Sequence, residues 1–209
     1  MLTCQKSFVD LRLLKPSDST SPFTELDWGI GGRSVGSGNQ GKWVHDIDSR
    51  TLDPEPDAGQ MSPHPTLPDV TLERGTMRHP ESGEVREYEE AWKHIPILPV
   101  PCGGPYDGKV VSMFLESGAE GEHKRGMICR VGQYVQGIVR DGDAVSVQRW
   151  AWSEEEREWR NVARIGDAPM VCEATWTELF EGPGDSTIHD GVLWRVRSLG
   201  LTSPPEDTI

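Results

Sequence analysis

Tyr134, Gln136 and Arg149 are the residues of this chain whose types and spacing best suit chemistry on a neutral organic molecule. A phenol, an amide and a guanidinium on neighbouring strands can donate hydrogen bonds to one carbonyl. A shaped cavity beside them can fold a flexible substrate into a near-attack conformer. Trp28, Tyr88, Trp92 and Trp150 offer aromatic walls for such a substrate, and Gln133 and Gln148 offer further hydrogen bonds. These residue types suit a small hydrophobic ligand carrying one or two oxygens. The matching chemistry is a cofactor-independent cyclisation or isomerisation of the pericyclase or Diels–Alderase type.

Other chemistries find less in the chain. The histidines at 45, 64, 79, 94, 123 and 189 form no HExxH motif, and His45 and Asp46 would point to opposite faces of a strand, so no metal site is expected. Gly36 to Lys42, GSGNQGK, imitates the first seven positions of a phosphate-binding loop. Trp43 stands where a hydroxyl should hold magnesium, and WVHDID after it alternates like a strand, so nucleotide binding is not expected. No GxSxG elbow or catalytic cysteine signature occurs. With 21 basic and 34 acidic residues the formal charge is −13, which disfavours nucleic acid and anionic lipid. Cys4, Cys102, Cys129 and Cys172 are widely spaced, and no apolar stretch reaches membrane-spanning length. A cytoplasmic protein without metal or nucleotide cofactor is expected.

The elements that must position these residues are strands. Gly126 to Trp152, GMICRVGQYVQGIVRDGDAVSVQRWAW, reads as two strands around a type I′ turn at Asp141-Gly142. If Arg140 pairs with Asp143, one face carries Val131, Gln133, Val135, Val139, Ser146, Gln148, Trp150 and Trp152. Tyr134, Gln136, Ile138, Val145, Val147 and Arg149 fall on the other. Neither face is purely apolar, as in a small barrel with a lined cavity.

Along the rest of the chain, strands are expected at Ser7 to Leu14, near 26–31, near 42–48, and from Val70 to Met77. Further strands are expected from Lys109 to Glu116, around EEEREWRNV, from Met170 to Glu178, and at the end, where Val192, Trp194 and Val196 face one way. Residues 50–69, with five prolines, read as an irregular loop able to cover a cavity mouth. Tyr88 to His94 reads as a short helical turn placing Tyr88 and Trp92 on one side. Pro96, Pro99, Pro101 and Pro105 mark a boundary between halves. The expected architecture is therefore all-β, with an N-terminal domain over 1–100, a C-terminal domain over 101–200 and a disordered tail over 201–209.

The runs LDWGIGG, ERGTMRHPESGEVREYEEAWKHIPI, RVGQYVQGIVRDGDAVSVQRWAW and DGVLWRV, taken in chain order over roughly residues 24–199, resemble the fungal HRI proteins, a family named for a casein-kinase-type partner. The resemblance implies two packed lipocalin-like antiparallel β-barrel domains with little helix, and it brings no catalytic residues. The proline-rich 50–69 region and a short link after Trp152 depart from the family pattern. Two readings remain open: a catalyst acting on a lipophilic natural-product intermediate, or a non-catalytic ligand-binding or protein-interaction protein. The catalyst, preferred because glutamines and arginine sit among tryptophans, needs an open, dry, aromatic pocket. An interaction module would show filled barrels and an exposed apolar patch.

Overall fold

In the computed structural model, residues 1–15, 25–78, 82–119 and 122–203 are described. The expected polar turn at 16–24 and part of the HPESGEV turn lie outside them. Of the tail expected over 201–209, residues 204–209 lie outside them, while Leu201 and Thr202 belong to the last strand. The protein is all-β, built from two antiparallel seven-stranded sheets. The first is a simple meander of β1 (Leu2–Cys4), β2 (Ser7–Leu13), β3 (Leu26–Ser34), β4 (Gln40–Asp48), β5 (Asp57–Pro63), β6 (Val70–Arg78) and β7 (Val85–Lys93). The second comprises β8 (Val110–Ser117), β9 (Lys124–Val131), β10 (Tyr134–Asp141), β11 (Ala144–Ser153), β12 (Glu158–Ile165), β13 (Ser186–His189) and β14 (Val192–Thr202), in the order β12-β11-β10-β9-β8-β14-β13. The expected fold class is thus borne out.

The alternating patterns account for how the sheets pack. On β2, Val9 and Leu11 face the second sheet, while Phe8, Asp10 and Arg12 face the hollow of the first. Val9, Leu11, Ile47, Phe114, Met127, Cys129, Ile138 and Val147 form one dry layer between the sheets. The LDWGIGG run serves this contact. A Cβ on Gly31 would lie 2.7 Å from Met127 Sδ, and one on Gly29 would lie 3.0 Å from Ile138 Cδ1, so glycine lets the second sheet rest on the β3 backbone. The second sheet buries its own core of Met113, Leu115, Ile128, Val135, Trp194 and Val196 beneath Met170, Cys172 and Phe180.

Several expectations need correction. The 126–152 stretch holds three strands, because Gly132 at φ +53 turns the chain and pairs Val131 with Tyr134. Val131 therefore joins the Tyr134 face, and Gln133 sits in the turn. The β10–β11 turn is Gly142-Asp143 with only Gly142 at positive φ (+59), the II′ pattern rather than I′. The two-residue shift in pairing keeps parity, so the remaining face assignments stand: Gln136 pairs with Arg149 and Val135 with Trp150. Within 50–69, residues Asp57–Pro63 form β5. Tyr88 and Trp92 lie on strand β7, where an even spacing also puts them on one face. Met170 to Glu178 forms no strand; it carries the four-residue helix α1 (Ala174–Thr177), which packs over the second core. The Gly36–Lys42 mimic spans the β3–β4 hairpin and opens no helix.

Candidate functional site

The residues singled out from sequence fall into three places. Trp28, Tyr88 and Trp92 lie in the hollow of the first sheet. A bulge in β4 sets this hollow up: Ile47 pairs with Gly31 and His45 with Gly32, so Asp46 is the extra residue. Asp46 turns outward to Arg33 (2.9 and 3.0 Å), while His45 and Asp48 come to the same inner side. His45 Nδ1 is 2.9 Å from Asp48 Oδ2, and Nε2 stands 3.2 Å from Asp57 Oδ2 in an off-axis ionic contact. Trp28 Nε1 donates to Asp48 Oδ1 at 3.0 Å, and the guanidinium groups of Arg12 and Arg50 each lie over the Trp28 ring (4.9 and 4.4 Å to the centroid).

Deeper in, Glu73 is 4% exposed and accepts from Tyr88 Oη at 2.6 Å and from Trp92 Nε1 at 2.8 Å. Gly59 and Gly75 pair across β5 and β6, and a Cβ on either would strike Glu73 or Tyr88, so the two glycines make room for this pair. Arg12 joins Glu90 on β7 through both carboxylate oxygens and Asp10 at 3.1 Å, tying the two sides of the curled sheet together. Burial opposes the charge on His45, but the Asp48 and Asp57 carboxylates outweigh that and push its pKa up to about 9. Burial and the Glu73 carboxylate together push the Tyr88 phenol up. Burial raises the Glu90 carboxyl, against the pull of Arg12. A cavity of about 540 Å³ opens above Trp28, His45 and Asp48, walled by Arg50, Asp57 and Met77.

The proposed catalytic residues lie elsewhere, between the sheets. The Gln136 amide, in the orientation that satisfies both its ends, donates to Val9 O at 2.9 Å and accepts from Arg149 Nε and Nη2, each at 3.1 Å. Arg149 Nη2 also donates to Leu11 O at 2.5 Å. Burial lowers the Arg149 pKa, and the Asp10 charge partly offsets this. Gln136 and Arg149 thus bind the second sheet to the β2 backbone, and Tyr134 stands half-buried on the same face at the head of β10.

The remaining three serve the second half. Gln133 spans the link between sheets, accepting from Leu98 N and donating to Pro96 O, both at 2.8 Å. Gln148 is buried and accepts from Trp150 Nε1 at 3.0 Å. Trp150 contacts Trp176, and Trp176 stacks on Trp159 at 4.6 Å. The nine residues therefore do not line one cavity. Residues the sequence reading passed over, Glu73 and Arg130, are charged groups buried in strands. The available signal was a charge standing between apolar neighbours, as Arg130 does between Cys129 and Val131.

Among the described residues no group of His, Cys, Asp or Glu is arranged to hold a metal ion, and no helix is long and apolar enough to cross a membrane. No curated protein matches the sequence. The uncharacterized protein YLR301w from Saccharomyces cerevisiae, known from a crystal structure, is similar over 94% of this chain and 89% of its own, with a TM-score of 0.66 at 15% identity. That likeness extends to the fold. The family pattern described as Protein HRI1 matches residues 1–198, and with the two-sheet architecture in place the chain belongs to the HRI1 protein family.

Proposed function

We propose that this protein is a non-catalytic interaction module that docks a protein partner on the link between its two sheets. The observation that supports the reading is the run Ile95-Pro96-Ile97-Leu98. Its three apolar side chains are 58%, 40% and 48% exposed, while the layer between the sheets and the core of the second sheet are filled by their own side chains. The run is held in place: Gln133 grips Pro96 O and Leu98 N, and Gly132 packs beneath Ile97. A surface segment already fixed in shape loses little entropy on binding. The partner class is a casein-kinase-type protein kinase, carried over from the family resemblance. Four free cysteines, three of them buried, suit a reducing cytoplasm.

The test is a titration of the purified chain against the catalytic domain of such a kinase. Ile97→Asp combined with Leu98→Asp should weaken binding by about tenfold or more at unchanged melting temperature. Equal affinity of variant and parent, or no binding by the parent, overturns the reading.

A second reading, a ligand carrier or cofactor-independent cyclase, draws support from the 540 Å³ cavity over Trp28. Such a protein would place its ligand there, beside His45 and Arg50, and away from Tyr134, Gln136 and Arg149. Crystals soaked with terpenoid or polyketide candidates should then show density over Trp28, and a cavity that stays empty with every candidate counts against it.

A further inference from the structure

The second sheet contains a buried cation with no acid beside it among the described residues. Arg130 shares the inner face of β9 with Ile128 and is 0% exposed. Nε donates to Gly132 O at 3.3 Å and Nη1 to Thr175 O, whereas Nη2 meets no acceptor among the described residues. None of the ion pairs among the described residues includes it. The groups whose charge bears on it are the Cys102 thiol and the Tyr106 phenol, and burial pulls its pKa down to about 10. An unpaired guanidinium out of water is costly unless something compensates it.

The surroundings consist of rings. The Arg130 guanidinium lies 5.2 Å from the Trp159 ring centroid and 5.9 Å from that of Tyr106. Trp159 stacks on Trp176 and meets Trp152 edge-on at 6.0 Å, and Trp176 leads on to Trp150 at 5.4 Å. The indole N–H groups of Trp152 and Trp159 are also buried without an acceptor among the described residues. An indole nitrogen can only donate. The box therefore presents donors and one positive charge. A water molecule would bring two hydrogens that need acceptors of their own, whereas an anion accepts from every side. Trp150, Trp152, Trp159, Trp176 and Cys102 are each partly exposed, which leaves a way in from solvent.

We propose that this tryptophan box is an anion site, in which Arg130 Nη2 and the neighbouring indole N–H groups hold a small monovalent anion, either a halide or a carboxylate. The site is independent of the docking face proposed above. It is formed by β9, β11, β12 and the helix α1, so an anion bound there also clamps α1 onto the sheet through Arg130 and Thr175.

The test uses the full chain in two measurements. Melting temperature is followed while sodium bromide or sodium formate replaces sodium sulfate at constant ionic strength, for the parent and for Arg130→Met. The methionine is close in length and removes the buried charge rather than stranding it. The parent should gain stability with bromide, with formate, or with both, and the pattern identifies the anion class. In Arg130→Met the response should fall by about tenfold in affinity or vanish. Crystals of the parent grown in bromide should give an anomalous peak within hydrogen-bonding reach of Nη2. Equal responses in parent and variant overturn the proposal. A bromide crystal with water at Nη2, in a protein that also ignores formate, overturns it without recourse to the variant, should that chain fail to fold.

Discussion

His45 shows how a few neighbours decide a residue's behaviour. Alone on a strand it would titrate near its ordinary value, but Asp48 and Asp57 hold it cationic and push its pKa to about 9. The folded value lies above the unfolded one. The stability it contributes is therefore complete below about pH 6.5 and is lost as pH rises through about 9. Urea unfolding of parent and His45→Gln from pH 6 to pH 10 should show a stability difference that shrinks across that window; a difference that stays constant would mean the proton plays no part. At the sheet interface, Arg149→Ala should cost about 1–3 kcal/mol in the same measurement, since it strips partners from Gln136 and from Leu11 O. Full stability after that change would mean the pair does not join the sheets.

Turns show the same dependence on context among the elements. Gly132 and Gly142 both adopt positive φ, +53 and +59. A Cβ on Gly142 meets nothing within 4 Å, but one on Gly132 would lie 2.6 Å from Ile97 Cγ2 and 2.7 Å from Leu98 O. Gly142→Ala should thus cost about 1 kcal/mol and Gly132→Ala about 3 kcal/mol or more, as shifts in the denaturation midpoint. Equal costs would show that the link between the sheets simply moves aside.

Much of the element layout was legible. Alternation marked Val192, Trp194 and Val196 as one face, and Asp190-Gly191, both at positive φ, is the I′ turn such a dipeptide favours. Other segments were ambiguous for physical reasons. A four-residue spacing puts Tyr88 and Trp92 on one face of a helix or of a strand alike. The apolar run from Met170 could equally have been strand or helix. In β5, Pro63 ends the strand and Gly59 clears space for Glu73, so residues that usually signal loops fit within a sheet. The candidate site was harder still. That Trp28, His45 and Asp48 meet depends on a bulge in β4, and that Gln136 meets Val9 depends on how two sheets stack, neither of which local pattern encodes.

The molecule as a whole depends on the dry layer the two sheets share. Ile138 is fully buried there against the β3 backbone. Ile138→Ala should cost about 2–5 kcal/mol, and near-ultraviolet signals from both halves should be lost in one coincident transition. Two separated transitions would mean the sheets stand independently. The strand orders carry a further consequence for how the chain is made. The first sheet can zip up hairpin by hairpin as it leaves the ribosome, since each strand's partner is the next one. β8 lies in the middle of the second sheet, yet one of its two neighbours, β14, is among the last strands translated. Until then Val111, Met113 and Leu115 sit on an open strand border, a template for pairing with other nascent chains. Ribosome stalling or premature termination just before Val192 should therefore yield aggregates rather than a soluble half-protein.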